Sequence, residues 1–89
     1  MIRAVWDEAF KRNYKKRIQK NEVLRRKFWQ RMELFLESPF SPQLRTHKLS
    51  GKLEGLWAFS VDNDLRIVFE FLGEDRALLI DIGSHDEVY

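Results

Sequence analysis

Cysteine is absent from the 89 residues, which excludes disulfides, thiolate nucleophiles and thiolate metal ligands. That absence suits a reducing cytosol, and a cytoplasmic location is the expectation. No apolar run approaches bilayer length, so no membrane association is expected. The opening "MIRAVWDEAF" meets Arg3, Asp7 and Glu8 before any apolar stretch develops, which argues against a secretion signal. Histidine is scarce as well. His47 and His85 are the two present, and without cysteine or HxxxH-like spacing they argue against a zinc site. No cofactor is expected. At this length one core must serve the whole chain, so residues 1–89 are read as a single domain.

Acidic residues are what the first half lacks. Residues 1–54 carry fourteen Lys/Arg against six Asp/Glu (+8), and residues 55–89 carry two against eight (−6). Between Lys11 and Arg31 ten basic residues face one acid, Glu22. Such a density attracts a polyanion through counterion release, although a solvated helical surface is the commoner meaning of a charge run.

Ile2, Ala4, Val5 and Trp6 read as a short strand, and Asp7 as a helix N-cap. Phe10, Tyr14 and Ile18 recur on one helical face. Asn21 caps a second helix striped by Leu24, Phe28, Met32 and Phe35 and widened by Trp29 and Leu36. "ESPFSPQ", holding both prolines, stops it. This stripe at helical spacing reads as core rather than as a binding box.

From Leu56 the period becomes two. Trp57, Phe59 and Val61 alternate with Ala58 and Ser60; "DND" turns the chain; Leu65, Ile67, Phe69 and Phe71 alternate with Arg66, Val68 and Glu70. "GEDR" makes a second turn before "ALLIDIG", where Leu78, Ile80 and Ile82 are expected on one face and Asp81 on the other. The order β-α-α-β-β-β predicts an α+β domain, with two antiparallel helices on one face of a small, mainly antiparallel sheet. The helices should cover the aromatic face. Ala58, Ser60, Arg66 and Asp81 should then line a shallow polar trough on the other.

Several side chains there suit chemistry. Histidine moves protons near neutral pH, and both histidines lie beside turn-forming sequence. The guanidinium fork of Arg66 suits a phosphate, with a cross-strand ion pair to Asp81 as the structural alternative. Lys48 and Lys52 flank a glycine-bearing turn in "THKLSGKLEG", which lacks the glycine spacing of a P-loop.

Together "HKLSG", "DLRIVFEF" and the terminal "DIGSHDEVY", following two basic helices, resemble the RelE/ParE toxin superfamily, closest to its YafQ-like branch. The likeness spans essentially the full chain and implies a RelE-like fold. It also implies the toxin of a type II toxin–antitoxin pair, a metal-independent endoribonuclease that cuts translated mRNA in the ribosomal A site of the small subunit. A cognate antitoxin is the implied partner, in a toxin–antitoxin hetero-oligomer.

By motif, His85 matches the near-terminal catalytic histidine, His47 a functional histidine, Asp64 the acid after the hairpin turn and Arg66 an arginine of the middle strand. Tyr89 falls where an aromatic is frequent. The resemblance implies His85 as general acid or base, His47 and Asp64 as its partners in proton transfer or orientation, and Arg66 as phosphate stabiliser. Lys48, Lys52 and the helical Lys15, Lys16 and Arg26 would hold RNA, and Tyr89 would stack on a base. Which group is base and which acid stays open. Two positions depart from the branch: Ser60 replaces a further histidine, and Trp57 stands where a basic residue is common. A ParE-like gyrase inhibitor and a degenerate antitoxin-binding module are the rival readings on the same fold.

Overall fold

A computed structural model describes residues 1–84. Strand β1 (Arg3–Trp6) leads into helix α1 (Glu8–Arg17) and then helix α2 (Glu22–Glu37). A 3₁₀ turn (Pro42–Leu44) connects to strand β2 (His47–Lys48), and a second (Gly51–Leu53) to strands β3 (Trp57–Ser60), β4 (Leu65–Phe71) and β5 (Arg76–Ser84). These form one five-stranded sheet in the order β1-β5-β4-β3-β2, in which only β1 with β5 is parallel among the described residues. The α+β architecture is the expected one, with β2 as an addition.

Both helix starts follow from their caps. The Asp7 carboxylate accepts from Ala9 N–H, and the Asn21 side chain accepts from Leu24 N–H, so each satisfies a donor that the first turn cannot. Lys15, Lys16 and Arg17 occupy the last turn of α1, where positive charge favours the helix dipole. α2 ends at Ser38, before Pro39.

The register sorts the sheet into rows. On the helix side stand Phe59–Ile67–Ile82, Trp57–Phe69–Leu79–Trp6 and Phe71–Ala77–Ala4. Phe10, Phe28, Met32 and Phe35 of the helices are buried in the same core. Phe35 stacks on Phe59 and meets Phe69 edge-on, while Phe28 packs among Trp6, Phe10 and Tyr14. The aromatic stripe is therefore core, with Trp29 as its half-exposed margin, its indole N–H donating to the Tyr14 hydroxyl.

Strict alternation fails in β5. Ala77, Leu79 and Ile82 are buried, whereas Leu78 and Ile80 are only half-buried. The reason is a bulge: Phe69 pairs with Leu79 and Val68 with Asp81, so Ile80 is an extra residue that switches the strand's parity. The helix-free face differs from expectation too. Its middle is closed, because Ala58, Ser60 and Val68 are buried rather than lining an open trough. Ala58 and Val68 stand between His47 and Asp81 in one row, and Ser60 stands beside Arg66 in the next.

Candidate functional site

The helix-free face carries the chemistry in two rows. His47, Ala58, Val68 and Asp81 form one; Ser60, Arg66 and Gly83 form the next. His47 and Arg66 thus share a face, two strands and about 7 Å of strand length apart. β5 carries the chain into this neighbourhood, since Gly83 pairs with Arg66 and Ser84 with Leu65. His85 and Tyr89 lie outside the described residues.

His47 is exposed on a two-residue strand. Its Nδ1 lies 2.8 Å from the carbonyl oxygen of Arg45. A carbonyl can only accept, so Nδ1 carries the proton and, in the neutral ring, Nε2 holds the lone pair. Arg45 itself is the one non-glycine residue with positive φ among those described (φ 52°). Its left-handed conformation turns the chain from the 3₁₀ turn into β2 and sets that carbonyl against the imidazole.

Arg66 is half-buried, and its guanidinium donates to the carbonyl oxygens of Asp62 (2.8 Å) and Leu65 (3.3 Å). The alternative ion pair with Asp81 is not formed. Asp81 instead accepts from Asn13 of α1 at 2.6 Å and from the N–H of Ile82, which ties it to the helical layer.

The acid of the turn is divided between two residues. Asp64 is exposed, and only its backbone is held. Asp62, which sequence reasoning passed over, accepts from the N–H groups of Asp64 (3.0 Å) and Leu65 (2.8 Å) and fixes the turn. Partial burial pushes the Asp62 carboxyl up, but those two hydrogen bonds, with the charges of Lys27 and Arg66, hold it below its ordinary value. A depressed folded value means that the contribution to stability is complete above the ordinary carboxylate range, about 3.9, and is lost as pH falls through the folded value. Asp62→Asn keeps an oxygen for both N–H groups and removes the titration. Thermal midpoints of the variant should therefore fall less steeply than those of the unaltered chain between about pH 5 and pH 2. Parallel curves would contradict this.

The cations divide into two groups. Lys48 is exposed opposite Trp57, its ammonium 5.6 Å from the ring centroid, and Lys52 is exposed in the following 3₁₀ turn. A hollow of about 260 Å³ runs along His47, Lys48, Leu49, Ser50 and Leu53. Lys48 is next to His47 in the chain, but its ammonium lies over Trp57 on the other side of the sheet, and Lys52 follows in the turn beyond the hollow. Lys15, Lys16 and Arg26 lie exposed on the helices that pack against the opposite face, and Arg26 is paired with Glu22 at 3.1 Å. The fold does not bring them to His47 and Arg66. Among the described residues no group of three His, Cys, Asp or Glu side chains could hold a metal ion, and no helix is long and apolar enough to cross a membrane.

Residues 2–89 match the profile of a family described as bacterial toxin of type II toxin-antitoxin system, YafQ. The chain belongs to the YafQ toxin family. Solved structures agree on the fold of this YafQ-family chain. The YoeB/ParE toxin from Agrobacterium tumefaciens has TM-score 0.78 and 19% identity, over 94% of this chain and 99% of its own. A metal-bound toxin from Helicobacter pylori has TM-score 0.77 and 22% identity, over the whole of both chains. The Escherichia coli DinJ-YafQ complex has TM-score 0.73 and 15% identity, over 100% of this chain and 99% of that one. No curated protein sequence matches. At these identities the likenesses bear on the fold alone, so roles within the site rest on the residues themselves.

Proposed function

We propose that this YafQ-family toxin is an endoribonuclease that cuts mRNA during translation, with His47, His85, Asp64 and Arg66 as its working groups. The observation that carries the reading is the shared face of His47 and Arg66, together with the β5 register that brings the chain beside Arg66 just before His85. In the reaction the 2′-oxygen forms a bond to phosphorus and the bond to the 5′-oxygen breaks. One imidazole takes the 2′-hydroxyl proton, and the other gives a proton to the departing 5′-oxygen. The products are a 2′,3′-cyclic phosphate and a 5′-hydroxyl.

Two features of His47 suit it to either step. Its tautomer is set by the Arg45 carbonyl, and it sits on an exposed edge that substrate can reach. Arg66 supplies positive charge to the phosphorane, exchanging its carbonyl partners for phosphate oxygens. Asp64 orients an imidazole, Lys48 and Lys52 hold the adjoining backbone, and Tyr89 stacks on a base. Lys15, Lys16 and Arg26 provide a second basic surface for the ribosome or more distant RNA.

The E. coli YafQ is solved in complex with DinJ, and an antitoxin is the proposed partner of this chain as well. The replacement of the branch histidine by Ser60 favours, as a second reading, a toxin that blocks gyrase without proton transfer. Toeprinting of mRNA in a translation reaction, run beside a DNA supercoiling assay, separates the two. New mRNA ends with supercoiling untouched are expected; inhibited supercoiling with intact mRNA would reverse the assignment.

A further inference from the structure

Between α2 and the β3–β4 turn lie two adjoining hollows, of about 80 Å³ and about 290 Å³. They share Arg31, Val61, Asp62 and Asn63; Arg45 and Ser60 line the smaller, Lys27 the larger. Three cations therefore meet one carboxylate, and an oxygen of that carboxylate already accepts two backbone N–H groups. Arg31 is steadied by one bond to the Gln43 carbonyl (3.2 Å), which engages one of its five N–H donors.

The hollows touch both halves of the candidate active site. Arg45 lines the smaller one while its carbonyl holds His47. Ser60, buried at 7% exposure, lines it too and stands opposite Arg66 in the register. Asp62 completes the link, because its carbonyl accepts from Arg66. Arginine at position 45 is also at odds with its backbone, whose left-handed φ favours glycine.

We propose that Lys27, Arg31 and Arg45 form a second phosphate site, which takes the phosphodiester next to the one cut beside His47. The proposal rests on the nuclease reading. It assigns these cations to positioning: they set the register of the RNA strand.

The test measures binding of a short, uniformly 2′-O-methylated single-stranded RNA, which cannot be cut, by fluorescence anisotropy at several salt concentrations. The proteins are the unaltered chain, Arg31→Gln, Arg45→Gly, the double variant, and Arg76→Gln at the far end of β5 as control. Arg45→Gly suits the left-handed backbone and keeps the carbonyl that holds His47, so its melting temperature should equal or exceed that of the unaltered chain. The slope of log K against log salt should become shallower by about 0.7 for each arginine removed and about 1.4 for both, with Arg76→Gln unchanged. Unchanged slopes in a chain that still cuts mRNA overturn the second site and leave the nuclease reading standing. An unaltered chain that neither binds nor cuts RNA overturns both. Variants that lose antitoxin affinity while keeping the RNA slope give the hollow to an acidic protein segment and overturn the proposal.

Discussion

His47→Ala is expected to lower the rate of mRNA cleavage by about 10² to 10⁴, the usual worth of a positioned general acid or base. The ring is exposed on an edge strand of two residues, so removing it creates no cavity, and the melting temperature should stay close to that of the unaltered chain. The Arg45 carbonyl left by the ring can turn to water. The loss would therefore belong to chemistry and not to folding. His47→Gln sharpens the argument, since it restores a donor to Arg45 without a group that titrates near neutrality, and it should be as inactive as alanine. Cleavage by either variant within a few-fold of the unaltered rate removes His47 from the mechanism.

The largest effect on stability is expected at Phe35. Its ring is fully buried, stacked on Phe59 at 4.5 Å between centroids and edge-on to Phe69 at 4.8 Å. Phe35→Ala forfeits that burial and leaves a cavity where α2 meets the centre of the sheet, at a cost of about 3–5 kcal/mol. A domain of this size has roughly 4–13 kcal/mol in total. The urea midpoint should then drop by about a quarter or more with the slope unchanged, or the variant should not fold at all. A midpoint within a tenth of the original would mean that helix and sheet are held together elsewhere. Loss of toxicity in this variant would accompany loss of fold, which distinguishes it from His47→Ala.

Local chemistry made the helices legible. Asp7 and Asn21 cap where a short polar acceptor precedes an apolar period, and Pro39 ends α2 because the residue before proline avoids helix. β3 and β4 were legible because each keeps strict alternation. β5 was not, since the bulge at Ile80 inserts one residue and puts Leu79, in place of Leu78, on the face of Ile82. β2 escaped notice for another reason: two residues carry no period, and the strand exists only because the edge of β3 is there to pair with it.

The site divides in the same way. His47 and Arg66 stand out by residue type, and hairpin parity puts Arg66 on the helix-free face. The gathering of Lys27, Arg31 and Arg45 had no sequence signal, because Lys27 and Arg31 on α2 read in sequence like Lys15, Lys16 and Arg26, and Arg45 stands alone in the turn before β2. Only the approach of α2 to the β3–β4 turn separates them. Asp62 holds the turn and leaves the Asp64 carboxylate exposed. An aspartate followed two and three residues later by turn N–H groups is an Asx-turn, and it marks Asp62 as the structural acid.

The measurement that bears most directly on the central claim is genome-wide mapping of new RNA ends after induced expression, with His47→Ala and His85→Ala in parallel. The account predicts fresh 5′-hydroxyl ends within translated coding regions for the unaltered toxin and none for either variant at equal protein level. Growth arrest without such ends, or the same ends in both variants, would contradict it.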